Sequence, residues 1–355
     1  MTSSVGQPAT VESSPLAPIG TAERVLEVDD LRVTFTAGRT RTPAVTGVSF
    51  GVEAGRTLGI VGESGSGKSV TARALMGLLS GRFEVSGSAR LRGRELIGLP
   101  EREMRRHRSR DIAMVFQDPM RALNPTMRVG TQIAEAVRLH RQTTRQEAWK
   151  EAVSLLAAVR VSDPEQRARA YPHQMSGGMR QRAMIAMALS GRPAVLIADE
   201  PTTALDVTTQ AQILALLDDL KSRFGMGVIL ITHDMSVAAH HTDRLAVMYA
   251  GRIVETGRSA ALFKRIRMPY SDALLKAIPT LDQESHSPLA SIEGSPPDLT
   301  QPRPGCSFAP RCRFVQERCR AEAPSLAGEP AGDGVSPDAD PGHQWACWFP
   351  LEDGS

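Results

Sequence analysis

One stretch decides the fold of this chain: residues Gly62 to Ser69, with the sequence G-E-S-G-S-G-K-S. It matches the pattern G-x-x-x-x-G-K-[ST], in which backbone N–H groups of a glycine-rich loop surround phosphate oxygens. The apolar run 57–61 before it indicates a buried strand, and 70–79 after it has apolar residues at helical spacing. Strand, loop and helix together form a phosphate site, because the helix start adds positive dipole. The alternative is a Gly/Ser-rich turn with a chance lysine, which the full pattern in this context disfavours.

The polar residues of this loop have distinct expected roles. Lys68 can reach the β- and γ-phosphates of a nucleotide, and the Ser69 hydroxyl can bind Mg²⁺. The residues expected to surround the phosphates are Gly62, Ser64, Gly65, Ser66, Gly67, Lys68 and Ser69.

Composition narrows the class of protein. The 355 residues are enough for one large domain or two. The 42 basic and 39 acidic residues leave a net charge of +3, which is too even for a dedicated nucleic-acid binder. Aromatic residues make up only 4% of the chain, so base-stacking platforms are scarce. We therefore expect no nucleic-acid partner.

The two ends of the chain differ from its middle. Residues 1–22 are rich in Ser, Pro, Ala and Thr and lack a basic start and an apolar core, which predicts a disordered leader and not a signal peptide. No apolar run approaches the roughly 18–20 residues of a membrane span, so we expect a soluble chain that reaches a membrane only through partners. All four cysteines follow residue 305, and a reducing cytosol is the default compartment.

The pattern around the loop predicts an α/β protein with two additions. Strand candidates at 25–28, 31–35 and 45–52 alternate apolar and polar residues, which indicates half-exposed antiparallel strands. Residues 127–170 have helical spacing and no strand signal, which predicts a helical insertion between two core strands. Phe35, taken by its strand alone, is more often a core residue than a base-stacking aromatic.

Four polar residues follow apolar strand candidates. The fully apolar run 194–198 ends in Asp199 and Glu200, at the edge of an α/β sheet where ligands bind. One carboxylate there can hold Mg²⁺, and the next can orient and deprotonate an attacking water. His233 and Gln117 end two further strand candidates, and for each of them a solvated turn residue is the alternative.

A second anion site is predicted at Ser176, Gly177 and Gly178, which open a helix over 183–189. The serine hydroxyl, two unobstructed backbone N–H groups and the helix dipole would face one way. An ordinary serine N-cap is the alternative, and it would be favoured if this segment stood alone.

Together these residues resemble the ATP-binding subunits of ABC transporters over about residues 24–280. Within that family the chain is similar to the first ATPase subunit of oligopeptide/dipeptide importers. The similarity is carried by segments 62–69, 175–189, 199–206, 269–270 with 274–275, and 305–312. One residue, Met179, departs from the broad family, where many members have Gln, although Met is common in the importer type.

The resemblance implies a role for each site residue. Phe35 becomes the adenine-stacking aromatic, which reverses the interpretation from its strand alone. Glu200 becomes the general base and His233 the switch histidine, while Gln117 senses Mg²⁺ and water and links to the permease. The remaining roles are Mg²⁺ binding by Ser69, Gln117 and Asp199, the ABC signature at Ser176, Gly177 and Gly178, and a loop crossing the dimer interface at Asp206.

The resemblance also implies an assembly. ATP and Mg²⁺ would lie between two ATPase subunits, one supplying the phosphate loop and carboxylates and the other the Ser-Gly-Gly helix start. The implied partners are a second ATPase subunit in a heterodimer, two permease subunits in the membrane and an extracytoplasmic solute-binding protein. The chain would lie peripherally at the cytoplasmic face of the cell membrane.

The expected architecture is an α/β P-loop NTPase core with an antiparallel β subdomain, an inserted α-helical subdomain at about 120–180 and a small cysteine-containing C-terminal extension. The ABC ATPase domain would span 23–265 and the extension 266–355. Import of another solute, such as a nickel chelate or a sugar, is an alternative function. A non-transport ABC ATPase is another, but no basic face, coiled coil or second ATPase unit is evident. Intact Lys68, Asp199, Glu200 and His233 argue against a module that binds ATP without hydrolysing it.

The cysteines Cys306, Cys312, Cys319 and Cys347 leave three alternatives open. Disulfides are disfavoured by the compartment, and a helix from 312 to 319 would separate its Cα atoms by about 10 Å, beyond the roughly 7 Å limit. Structural zinc usually needs closely spaced pairs, which are absent, whereas a [4Fe–4S] cluster tolerates wider spacing. Some members of the resembled importer type carry such a cluster in this tail. With disulfides set aside, the three alternatives are the cluster, unligated thiols and zinc.

Overall fold

The structure is a computed structural model that describes residues 23–203, 205–278, 292–301, 304–328 and 340–352. The predicted leader at 1–22 lies outside the described residues. Over the described ranges, no helix is long and apolar enough to cross a membrane.

The described chain alternates strands and helices around the phosphate loop. The strands are β1 Arg24–Ala37, β2 Thr40–Glu53, β3 Thr57–Val61, β4 Phe83–Leu91, β5 Arg94–Glu95, β6 Ile112–Val115, β7 Val195–Asp199, β8 Gly227–Thr232, β9 Arg244–Tyr249, β10 Arg252–Arg258, β11 Ala327–Gly328 and β12 Gln344–Trp345. The helices are α1 Lys68–Leu75, α2 Glu101–His107, α3 Pro119–Ala122, α4 Val129–His140, α5 Arg145–Ala158, α6 Pro164–Ala168, α7 Gly177–Ala188, α8 Val207–Phe224, α9 Met235–His241, α10 Ser259–Lys264, α11 Pro269–Lys276 and α12 Glu317–Ala321.

The large sheet positions the site. In the described residues it has eight strands in the order β11-β12-β10-β9-β3-β8-β7-β6, and β6, β7, β8, β3 and β9 are parallel. Strands β3, β7 and β8 are buried along their whole length, as their continuous apolar sequences predict for a parallel sheet covered on both faces. The carboxyl ends of β3, β6, β7 and β8 meet at one edge, where ligands bind in open α/β sheets.

Alternate residues of each parallel strand enter different cores. In β7, Val195 and Ile197 pack with α1 and the small antiparallel sheet, whereas Leu196 and Ala198 pack with the helical region and α7. The helix after the phosphate loop and the helix after Ser176 therefore cover opposite faces of the sheet.

The small sheet has the order β2-β1-β4-β5 and is antiparallel. Its first strand runs without a break through both strand candidates at 25–28 and 31–35, with register irregularities between Val28 and Arg32. Phe35 lies near the end of this strand, opposite Phe83 of β4. It is partly buried and packs against the core beneath the sheet.

The helical insertion lies between β6 and β7 and consists of α3 to α7. Helix α5 begins with a capping box, in which Thr144 and Glu147 satisfy each other's backbone N–H groups. The helix start predicted at Ser176, Gly177 and Gly178 is confirmed, but the regular helix predicted over 183–189 is too short, because α7 already begins at Gly177. The Ser176 hydroxyl accepts a hydrogen bond from the Met179 N–H at 3.3 Å and thereby caps the earlier turn.

The described C-terminal residues pack against the main fold, where Phe308 and Ala346 share one hydrophobic cluster with Val61 and Val247. Strand β12 pairs with β10 and extends the large sheet. The aromatic rings of Tyr249, Tyr270 and Phe308 meet at centroid distances of 4.5–5.4 Å, which joins β9, α11 and the cysteine segment. The Glu255 side chain, which is fully buried, accepts hydrogen bonds from the Arg267 N–H and from His343 Nε2.

Candidate active site

The phosphate loop turns between β3 and α1 with backbone conformations that require glycine. Gly62 has φ +151°, and a Cβ there would lie 2.2 Å from the Met248 carbonyl oxygen. Gly67 has φ +105° and precedes Lys68, the first residue of α1. Ser64 and Gly65 are exposed at the tip of the loop, whereas Ser66 is buried. The loop is thus open to a ligand on one side and packed on the other.

Lys68 lies inside this loop and is only 4% exposed. Its ammonium donates to the carbonyl oxygens of Gly62 at 2.7 Å and Glu63 at 2.9 Å. Burial lowers the pKa of Lys68, and the nearby carboxylates of Glu200 and Asp199 oppose that shift. The loop therefore holds a buried cation that lacks a full counter-charge, which suits it to an anionic ligand.

The Ser69 hydroxyl donates to Asp199 Oδ1 at 2.8 Å. Burial raises the pKa of Asp199, while the Ser69 hydrogen bond and the charge of Arg73 oppose the shift. A hydroxyl and a carboxylate that touch one another are the hard oxygen donors that Mg²⁺ prefers. These two residues fit a magnesium ion bound beside the phosphates.

The Glu200 carboxylate contacts polar side chains that follow three neighbouring strands, β6, β7 and β8. Its Oε2 accepts hydrogen bonds from Gln117 Nε2 at 2.9 Å and from Thr203 Oγ1 at 3.0 Å. Its Oε1 lies 3.5 Å from His233 Nδ1. Glu200 also has φ +46°, a left-handed conformation that is costly for a side chain of this size and that clusters at functional sites. The structure thus brings together three of the predicted residues and adds Thr203, which was not singled out although it lies in the 199–206 segment.

The second predicted anion site lies at the start of α7. Ser176 is exposed there, and its hydroxyl accepts from Met179 as an N-cap. A Cβ on Gly178 would lie 2.7 Å from Thr209 Cγ2, so glycine lets α7 approach the first turn of α8. Asp206 caps that turn by accepting from the Thr209 N–H at 2.9 Å, a bond that lowers the pKa of Asp206. Ser176, the Gly177–Gly178 pair and Asp206 therefore lie together, on the face of the sheet opposite α1.

Two contacts to the phosphate loop were not predicted from the sequence. The Glu63 carboxylate accepts hydrogen bonds from both terminal nitrogens of Arg311, at 2.6 and 2.9 Å. The Glu63 backbone N–H donates to the Tyr270 hydroxyl at 2.9 Å. Both partners lie more than 200 residues further along the chain, and no local sequence pattern relates residues so far apart.

All four cysteines line one small cavity, and all have free thiols. Its volume is about 20 Å³, room for about one water molecule. Burial raises the pKa of Cys306 and of Cys312, and raises that of Cys347 to about 12. In the part of the chain that is described, no group of three or more His, Cys, Asp or Glu is positioned to hold a metal ion. Cys319 lies in the short helix α12, which begins at Glu317, so residues 312–319 do not form one helix and the separation derived for such a helix does not apply.

Comparisons with known proteins agree with this geometry. A model of the ABC transporter family matches residues 45–203, and a model of the oligopeptide/dipeptide transporter C-terminal region matches 254–319. The oligopeptide transport ATP-binding protein OppD of Escherichia coli (strain K12) is 49% identical over 332 residues, or 94% of this chain and 95% of that protein. The dipeptide transport ATP-binding protein DppD of Bacillus subtilis (strain 168) is 49% identical over 292 residues, covering 82% and 87%.

A solved structure shares the fold. It is a dimeric ATP-binding cassette in a post-hydrolysis state bound to ADP and Pi. Its TM-score is 0.59 at 26% identity, and the match covers 66% of this chain and 98% of that one. With the loop, the paired carboxylates and the full-length relatives in agreement, the chain belongs to the ATP-binding, ATP-hydrolysing subunits of ABC transporters, in the oligopeptide/dipeptide transporter group.

Proposed function

We propose that this ATPase powers the import of oligopeptides or dipeptides from the cytoplasmic face of a cell membrane. Its partners are a second ATPase subunit, two permease subunits and an extracytoplasmic solute-binding protein. The observation that carries the hydrolytic part is the cluster of Gln117, Glu200 and His233 beside the Ser69–Asp199 pair. The names of the relatives support the peptide cargo.

At the edge of the large sheet where β3, β6, β7 and β8 end, each residue acts on the phosphates, on Mg²⁺ or on the attacking water. Lys68 and the loop N–H groups hold the phosphates, while Ser69, Asp199 and Gln117 would provide oxygen donors for Mg²⁺. A bound Mg²⁺ would neutralise charge that develops on the phosphate oxygens. Glu200 accepts the proton of the attacking water, and His233 contacts the γ-phosphate.

The rest of the nucleotide is held by residues of two subunits. In one subunit Phe35 stacks on the adenine. The other subunit supplies Ser176, Gly177 and Gly178 at the dipolar start of α7, and Asp206 lies at the interface. The phosphate loop and the Ser176 helix start each form part of a nucleotide site, and their helices cover opposite faces of one sheet. This placement supports a head-to-tail pair of ATPases, in which each chain completes the site of the other.

The role of Glu200 is tested by Glu200→Gln in the assembled transporter. We expect steady-state ATPase activity to fall at least about 100-fold, because general-base catalysis contributes 10²–10⁴-fold, while ATP binding persists. The matched control is Glu165→Gln on the exposed surface of α6, which should retain full activity. A fully active Glu200→Gln enzyme would show that another group activates the water.

The cargo is tested in vesicles that contain the membrane subunits with which the chain co-purifies. We expect ATP-driven uptake of labelled oligopeptides or dipeptides that stops in the Glu200→Gln variant. Uptake of a nickel chelate or a sugar in place of peptides would assign the alternative cargo. Failure to recover any membrane subunit would favour a non-transport ATPase.

The predicted [4Fe–4S] cluster is a separate proposal, with one observation for it and three against it. The convergence of four thiols on one cavity supports it. The small volume, the pKa values of Cys306, Cys312 and Cys347, which burial raises, and the lack of a metal-holding arrangement in the described residues oppose it. Iron, sulfide and the visible spectrum of anaerobically purified protein decide between a cluster and free thiols, and bound zinc without sulfide would identify a zinc site.

A further inference from the structure

Arg311 lies in the short 3₁₀ segment Ala309–Arg311, one residue before Cys312. Although this segment belongs to the C-terminal extension, the Arg311 side chain reaches the phosphate loop and is only 3% exposed. Its two terminal nitrogens bind the two oxygens of Glu63 at 2.6 and 2.9 Å, which is the bidentate geometry that a guanidinium forms with a carboxylate.

All five N–H donors of Arg311 have an acceptor. Besides the two bonds to Glu63, Nε donates to the Glu293 carbonyl at 2.9 Å and Nη2 to the Ile292 carbonyl at 3.1 Å. The fifth contact is from Nη1 to the Tyr249 hydroxyl at 3.4 Å. A guanidinium with every donor engaged has one orientation, so it fixes the carboxylate that it binds.

Glu63 is the second residue of the phosphate loop, at a position that the loop pattern leaves free. Its side chain is held by Arg311, and its backbone N–H is held by the Tyr270 hydroxyl. The backbone carbonyl oxygen of Glu63 accepts a hydrogen bond from the Lys68 ammonium at 2.9 Å. One residue therefore joins the C-terminal extension to the lysine that is to bind phosphate.

We propose that Arg311 is a positioning residue for the phosphate loop: by fixing Glu63 it sets the resting place of Lys68 and hence the affinity of the site for nucleotide. The C-terminal extension then contributes directly to ATP binding. The proposal needs only the ATPase activity of the family and is independent of the cargo and of any group bound by the cysteines.

The experiment compares Arg311→Met, Glu63→Gln and the double variant in the full-length chain within its transporter. We expect each single variant to raise KM for ATP about tenfold with kcat changed less than twofold, the size of coupling usual between contacting residues. The KM of the double variant should not exceed that of the weaker-binding single variant, because both substitutions break the same Arg311–Glu63 contact. Arg311→Lys should recover part of the loss, since a lysine keeps the charge but not the bidentate contact.

The matched control is Arg313→Met, two residues away in the same extension. Arg313 pairs with Asp272 at 3.3 Å but is 60% exposed, and KM for ATP should stay unchanged. A purely structural role would lower the melting temperature of Arg311→Met and leave its KM unchanged, and that result overturns the proposal. Additive effects in the double variant also overturn it. If Arg311→Met fails to fold, Glu63→Gln keeps Arg311 in place, and an unchanged KM in that variant has the same meaning.

Discussion

At the scale of single residues, the site holds opposite charges in surroundings that disfavour both. Burial lowers the pKa of Lys68 and raises that of Asp199, so each charged form is less stable than it would be in water. At the proposed site, phosphate and Mg²⁺ would supply the opposite charges that these two residues need. Nucleotide binding therefore relieves a desolvation cost that the folded chain alone must carry.

Gly62→Ala tests how tightly the loop is built. The new Cβ would lie 2.2 Å from the Met248 carbonyl oxygen, and the loop must move because that backbone belongs to β9. We expect ATP affinity to fall at least about tenfold and stability to fall by more than the ~1 kcal/mol that a left-handed conformation alone costs an alanine. The measurements are ATP titration and thermal unfolding.

The control for that prediction is Gly38→Ala in the turn between β1 and β2. Gly38 also has a positive φ, +60°, but a Cβ there meets nothing within 4 Å. It should lose only the conformational contribution and keep its ATP affinity. Equal losses in both variants would mean that the contact with β9 is unimportant.

At the scale of elements, Asp243 secures the sheet end opposite the site. Its carboxylate accepts from the Thr57 N–H at the start of β3 and from Arg56, both at 2.7 Å. The Lys221 ammonium of α8 lies 3.5 Å away. Burial alone would raise the pKa of Asp243, but the Thr57 and Arg56 hydrogen bonds outweigh it and lower the pKa. The ionised carboxylate thus ties β9, β3 and α8 together.

Asp243→Asn should lower the free energy of unfolding at pH 7 by about 2 kcal/mol, as expected for hydrogen bonds to a charged group. Because the folded-state pKa of Asp243 is lowered, its contribution is present above about pH 4, the unfolded value, and is lost as pH falls through the folded value. The difference between variant and native chain should therefore shrink in acid. Denaturant unfolding from pH 7 downward measures it.

The surface residue Asp219 provides the comparison for Asp243. It pairs with Arg160 at 3.3 Å in an exposed position, so Asp219→Asn should cost no more than about 1 kcal/mol. A difference for Asp243→Asn that does not change with pH would contradict the assigned role of its charge.

The elements also show what a sequence can predict. Buried strands such as β7 and β8 are apparent because their apolar runs are continuous, and the polar residues that follow them fall at the ligand edge. The Ser-Gly-Gly helix start is predicted correctly, but the regular helix is predicted only from residue 183, because Gly177 and Gly178 are poor helix formers. The packing of Gly178 against α8 outweighs that local propensity. Strand β12 has two residues, too few for any period, and its pairing with β10 depends on the tertiary fold.

At the scale of the whole molecule, one sheet separates the two half-sites that we propose. The phosphate loop and α1 belong to one face, and the Ser176 helix start belongs to the other. The C-terminal extension reaches the first of these through Arg311 and completes the sheet through β12. The sequence contains both half-sites, but only the fold shows that a single chain places them on different faces.

Ser176→Arg tests whether the second half-site acts on another subunit. The substitution would place a large cation at the exposed start of α7, where we propose that the partner's γ-phosphate binds. We expect hydrolysis in the phosphate loop of the partner subunit to stop, while the altered chain still binds ATP at its own loop with native affinity. Photo-crosslinking of labelled ATP to each subunit and single-turnover hydrolysis measure the two events separately.

Lys68→Ala in the same chain should give the reverse pattern, with ATP binding lost at its own loop and retained in the partner. The two variants therefore exchange the affected subunit if the sites are shared head to tail. If Ser176→Arg instead blocks binding or hydrolysis at its own loop, each chain forms a complete site by itself. Full hydrolysis at both sites in that variant would remove the start of α7 from the reaction, and Ser176 would then be an N-cap alone.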